Sequence, residues 1–109
     1  MSKYRNKITY VDGIRFASKR EANRYSELKL LELAGEITHL ELQPRYELQP
    51  AFDYNGKWIR SINYVADFRY YDLRISGEVV EDTKGHETQI FKLKRKLLMY
   101  NYDIDVQLT

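Results

Sequence analysis

Two short runs place ionisable side chains inside stretches whose alternation otherwise reads as half-buried strand: Tyr64-Val65-Ala66-Asp67-Phe68 and Val79-Val80-Glu81-Asp82-Thr83-Lys84-Gly85. Unpaired charge in such a setting is costly, so these groups need compensation. On the second run, period two sends Val80, Asp82 and Lys84 to one face and Val79, Glu81 and Thr83 to the other. If the preceding strand pairs with it as an antiparallel hairpin through a turn at Asp72 to Gly77, Asp67 reaches the face that carries Asp82. Two carboxylates that close repel, and a divalent cation stabilises both ionised forms. Oxygen-only ligation favours Mg2+ or Mn2+ over zinc. A hard cation so held can orient a water, lower its pKa and neutralise charge on a phosphodiester. Lys84 could position the attacking water or offset charge on the phosphoryl oxygens. The ordinary alternative is a simple Asp82–Lys84 ion pair on one strand face.

Composition narrows the chemistry further. The chain has 109 residues, the size of a single domain, so 1–109 is read as one unit without a separate substrate lobe. Hydrophobic residues make up 43% and include ten tyrosines, four phenylalanines and one tryptophan, enough for a core and against disorder as the main state. Zero cysteines exclude disulfides, thiolate zinc sites and cysteine nucleophiles. The two histidines, His39 and His86, are too isolated for a histidine-rich metal site. No run approaches the roughly 20 apolar residues of a membrane span, and the amino terminus lacks a signal-peptide core, so a cytoplasmic protein is expected. Net charge is +2, from 18 basic and 16 acidic residues, so the distribution of charge matters more than its sum.

The elements that must position these groups follow from local pattern. Residues 1–17 are basic and aromatic and form an arm or small ribbon, with Val11-Asp12-Gly13-Ile14 as its turn. Ser18-Lys19-Arg20-Glu21 fits a capping box, and Ala22, Tyr25, Leu28 and Leu31 follow at three-residue steps, predicting a helix over about 19–34 that stops at Gly35. From Thr38 to Leu48 the period is two, predicting a strand bent at Pro44. Asn55-Gly56 marks a hairpin between residues 52–54 and 57–59. Ile62 to Tyr71 alternates as a second strand, and Glu78 to Lys84 as a third. A second helix spans about Gln89 to Tyr100, and Ile104, Val106 and Leu108 alternate as a last strand. The expected fold is α/β, a mixed central sheet flanked by helices in the order α-β-β-β-α-β, with one amphipathic helix on each face.

Asp67 followed by Asp82-Thr83-Lys84 resembles the bipartite motif of the PD-(D/E)XK nuclease superfamily, a strand aspartate followed by an acidic-x-lysine on the next strand. With Ser18-Lys19-Arg20-Glu21, Leu42-Gln43-Pro44 and Tyr64-Val65-Ala66-Asp67, the resemblance extends over about residues 12–108. It points to short phage and prophage nucleases related to the endonuclease half of a bacterial transposition system. The chain departs at two places: Ala66 stands where the family has proline, and Asp82 where glutamate is usual.

The resemblance implies a restriction-endonuclease-like core and a metal-dependent DNA endonuclease. Asp67 and Asp82 would be metal ligands, and Lys84 would act on the attacking water. Glu21 would be a third carboxylate and the Thr83 backbone carbonyl a further ligand. From spacing alone Glu21 is equally a capping-box glutamate. Gln43 is expected near the site or the scissile phosphate, against the alternative of an exposed strand glutamine. Lys92 and Lys96 share a helix face that could hold a DNA backbone, as could Lys19 and Arg20 at the start of the first helix, although charged helix faces are more often only solvated. Trp58 and the tyrosines are expected to pack in the core and in hairpin pairs. So short a chain favours structure-selective action on branched or four-way junction DNA in phage recombination. Two symmetric cuts would call for a homodimer. The competing expectations are a catalytically inactive DNA-binding module and a subunit of a phage or mobile-element nucleoprotein complex.

Overall fold

The computed structural model of the chain describes residues 7–84 and 86–109. The basic residues Lys3 and Arg5 of the expected arm, and Gly85, lie outside them. The first described element is a hairpin of β1 (Thr9–Val11) and β2 (Ile14–Phe16), turned by Asp12 and Gly13 at φ 53° and 74°. Helix α1 (Lys19–Leu33) begins where the Ser18 hydroxyl accepts the Glu21 N–H at 3.1 Å. It ends at Gly35, whose φ of 76° lets the Glu36 N–H return to the Leu31 carbonyl.

The chain continues through β3 (Ile37–Leu42), β4 (Arg45–Gln49), β5 (Phe52–Tyr54), β6 (Lys57–Ile59), β7 (Ile62–Val65), β8 (Phe68–Asp72) and β9 (Gly77–Asp82). Helix α2 (Gln89–Tyr102), capped by Thr88, then leads to β10 (Gln107–Leu108). The central sheet has the order β10-β9-β8-β3, with β3, β8 and β9 antiparallel and β10 parallel to β9. A parallel neighbour needs a long crossover, which α2 provides. The fold is α/β with a mixed sheet and two helices, as the alternation of periods predicts.

Each helix covers its own core. Ala22, Tyr25 and Leu28 of α1 pack with Phe16, Ile37, Phe68 and Tyr70, and Val79 borders them. Phe91 and Leu98 of α2 pack with Tyr46, Leu48, Tyr64, Ala66, Val80 and Val106. Val79 and Val80 thus point into opposite cores, the alternation expected for β9.

Two predicted strands differ from expectation in the same way. The 38–48 stretch is two strands, β3 and β4, and the 62–71 stretch is two strands, β7 and β8, each in a different sheet. Both break at one level. Gln43 takes a φ of 51° beside Pro44, the Gln43 N–H donates to the Asp67 carbonyl at 2.9 Å, and the Ala66 N–H donates to the Pro44 carbonyl at 3.1 Å. The burial parity survives the break, but the core changes. Leu40, Leu42, Phe68 and Tyr70 serve the α1 core, whereas Tyr46, Leu48, Tyr64 and Ala66 serve the α2 core. A periodicity of two registers only which residues are buried, so it cannot register this crossing.

The last strand is also shorter than predicted. Arg95 of α2 donates to the Val106 carbonyl at 3.0 Å and to Asp105 at 3.1 Å, occupying the segment before a ladder can form. Among the described residues no helix is long and apolar enough to cross a membrane.

Candidate active site

The double break puts Asp67 between β7 and β8, outside either ladder, while Asp82 closes β9. The Asp67 N–H donates to Asp82 Oδ1 at 2.9 Å, and the Tyr64 hydroxyl donates to Asp82 Oδ2. Asp67 Oδ2 accepts from both the N–H and the hydroxyl of Thr83, each at 2.7 Å. The two aspartates expected to converge are therefore tied together through one peptide and one threonine.

The N–H and hydroxyl of Thr83 clamp the Asp67 carboxylate, a role beyond the carbonyl expected of it. Lys84 lies just past the strand end, with Nζ 4.8 Å from the centre of the Phe91 ring. Asp82 and Lys84 do not form the simple ion pair that spacing allowed; Tyr64 and the Asp67 backbone hold Asp82 instead.

Glu21 is the third acid. Its backbone N–H serves the Ser18 cap, but its side chain is buried, the residue being only 7% exposed. It lines a pocket of about 180 Å³ with Asp67, Gln43, Arg15, Ile14, Phe16 and Leu42. Burial first, then the charges of Asp67 and Asp82, push the Glu21 carboxyl up to about 7, and Lys84 opposes that shift. Burial likewise raises Asp82 to about 6, with Asp67 adding to the rise and the Tyr64 hydrogen bond and Lys84 opposing it. Glu21, Asp67, Asp82 and Lys84 thus form one electrostatic unit in which negative charge is under-compensated. Larger hollows exist, one of about 450 Å³ beside the β3 bulge at His39, but that lining holds no paired carboxylates.

Gln43 lines the pocket with Glu21 and Asp67. Lys19 and Arg20 line a separate groove of about 470 Å³ that also contains Arg24 and Thr83, and Arg20 donates to the Thr109 carbonyl at 2.7 Å. Lys92 and Lys96 are exposed on α2 without ion-pair partners among the described residues, and no hydrogen bond ties them to the carboxylates. Lys94 and Arg95, the other cations of that run, are spent on the Asn63 carbonyl and on Asp105 and Val106.

Three features escaped the sequence reading. Tyr64 reaches Asp82 only because β7 has crossed to the α2 core. Arg15 joins the pocket from the β1–β2 ribbon. On the opposite face of β9, Arg24 forms two bonds to Glu81 at 2.6 and 2.9 Å, and the Tyr70 hydroxyl adds a third at 2.6 Å. Glu81 is only 1% exposed, so this network fully occupies a buried charge. Arg24, three residues after Glu21 on the helix, was the available signal.

An all-oxygen set of three carboxylates, two of them raised in pKa by burial and by neighbouring negative charge, has the donor chemistry of a hard divalent cation. The side chains are not drawn into a closed cage: among the described residues no three acidic or histidine groups are close enough to hold a metal as they stand.

The architecture is that of a small α/β domain with an acidic site at a break in its sheet. The chain matches a family model described as "Protein of unknown function (DUF1064)" over residues 1–109, and it belongs to that family. Neither a curated protein nor a solved structure matches it.

Proposed function

We propose that this protein is a metal-dependent DNA endonuclease of the PD-(D/E)XK type with a restriction-endonuclease-like core, working in the cytoplasm of a bacterial host during phage recombination or DNA processing. The supporting observation is the linkage of Asp67 to Asp82 beside buried Glu21 and Lys84, with Glu21 and Asp82 displaced toward their protonated forms. Asp67, Asp82 and Glu21 would hold Mg2+ or Mn2+, which supplies Lewis-acid stabilisation of a phosphodiester and a more acidic water. The chain's own residues do the rest. Thr83 and Tyr64 fix the two aspartates in place, and Lys84 offers an ammonium beside them for the attacking water or the phosphoryl oxygens. Gln43 and Arg15 line the pocket and would offer polar groups to an entering phosphate.

The test is a panel of linear, nicked, flapped and four-way junction DNA, each with Mg2+, Mn2+ or chelator. Cleavage that requires the ion and is lost in Asp67→Ala and Lys84→Ala proteins of unchanged circular dichroism is the expected result. Cleavage indifferent to both substitutions would reject the assignment.

The open spacing of the carboxylates favours one second reading, a DNA-binding module without turnover. Tight DNA binding in a protein that takes up no Mg2+ by calorimetry would select it.

A further inference from the structure

The chain's single tryptophan, Trp58, does not pack in the core as its type suggested. It stands on β6 and is 66% exposed, while Tyr54 and Phe52 on β5 are 63% and 41% exposed. Among the described residues β5 and β6 pair with each other and lie against no other element. An isolated two-stranded hairpin is marginal in water, and rings of this size are normally buried, so the arrangement calls for an occupant.

The register shows how the rings are presented. Phe52 pairs with Ile59, Asp53 with Trp58 and Tyr54 with Lys57, so Trp58 faces one side of the ribbon and Phe52 and Tyr54 face the other. A flat protein partner would cover one face and leave the other wet. A blade with rings on both faces suits insertion between stacked or unpaired bases.

Charge points the same way. Arg45, Lys57 and Arg60 are exposed along this arm and have no ion-pair partner among the described residues. Its two acids are Glu47 and Asp53, the latter also accepting the Gly56 N–H at 2.8 Å, so cations outnumber acids along the arm by one. Cations interleaved with exposed aromatics are the composition that holds single strands, through phosphate contacts and base stacking. The arm is also continuous with the site: β4, which leads into it, begins just after Pro44, and β7, which leads out of it, ends just before Ala66 and Asp67.

We propose that the β5–β6 hairpin is a stacking blade that binds unpaired nucleobases of the DNA handled at the carboxylate site. This rests on the endonuclease reading for its substrate but not on turnover. Because Trp58 is the sole tryptophan, its fluorescence reports on the hairpin alone. The experiment titrates full-length Asp67→Ala protein, in chelator, with a fluorescein-labelled single-stranded oligonucleotide, its blunt duplex and a four-way junction. Anisotropy is read beside tryptophan emission.

Saturable quenching of Trp58 by the single strand, with Trp58→Ala weakening that binding about 5- to 100-fold and Trp58→Phe restoring most of it, is the expected result. Binding seen by anisotropy with no change in Trp58 emission, or equal affinity of Trp58→Ala, overturns the blade and leaves the nuclease reading intact. Emission that instead follows protein concentration without DNA, together with a doubled mass, assigns the hairpin to a second copy and also overturns it. Failure of every DNA to bind, while wild-type protein cleaves with Mg2+, removes the blade alone; failure of both binding and cleavage removes the two together.

Discussion

Glu21 and Asp82 differ from the surface acids of this chain because folding raises their proton affinity. With Glu21 moved from 4.5 to about 7, the folded chain keeps a proton that the unfolded chain has released across that interval. The contribution of Glu21 to stability is therefore fully present below about pH 4.5 and is lost as pH rises through about 7. Glu21→Gln is expected to be more stable than the parent at pH 8, by on the order of 1–2 kcal/mol, and no different at pH 4. Urea denaturation across this range checks it; a Glu21→Gln chain no more stable than the parent at pH 8 would refute the buried-acid picture. In the nuclease reading, Lys84→Ala should lower kcat by roughly 10²- to 10³-fold with little change in DNA affinity, measured by single-turnover cleavage. At this scale the sequence was informative where spacing decides geometry: Asp67, Asp82 and the turn of Glu81 to the opposite face follow from strand parity. It was silent on Tyr64, whose bond to Asp82 depends on a crossing between cores.

The elements were largely legible wherever a local signal exists. Ser18 and Gly35 bound the first helix, and Asp12-Gly13 and Asn55-Gly56 turn their hairpins through positive φ. The shared break at Gln43-Pro44 and Ala66-Asp67 was only half legible, since Pro44 announces a bend in one strand but nothing local announces it in the other. Backbone and side chain can be separated there. Gln43→Gly should keep or slightly raise stability, because the residue sits at φ 51°. Gln43→Val should lose roughly 1–2 kcal/mol by thermal or urea unfolding. If the amide contacts DNA, Gln43→Gly should weaken binding although the fold is retained; unchanged affinity would assign Gln43 to the bend alone.

The whole molecule measures 53 × 43 × 24 Å, a flattened body from which a paired ribbon extends. Two cores of modest size, one under each helix, share the sheet between them. Leu98→Ala in the α2 core should cost about 2–4 kcal/mol, seen as a large fall in urea midpoint. Mg2+ or Mn2+ should raise the melting temperature at pH 8, and Asp67→Ala should abolish the rise, since only an ion bound in the folded state stabilises it. A body this small offers one set of acids. A four-way junction cut symmetrically therefore requires two copies, and two chains per junction by light scattering in chelator is the expected stoichiometry. A single chain on each junction would count against paired cutting.

Glu81 and Asp82 are adjacent, yet one is permanently tethered by Arg24 and Tyr70 and the other faces Tyr64 and Asp67. Their assignments depend on how β9 threads past β8, which is set by residues 73–76, where Arg74 clasps Asp72 through its N–H and guanidinium. Were a one-residue deletion in that distant bend to slide the ladder by one step, the tethered acid and the exchangeable one would trade places with no site residue altered, and Val79 and Val80 would also exchange cores. The fidelity of this centre is therefore held at the opposite end of its hairpin.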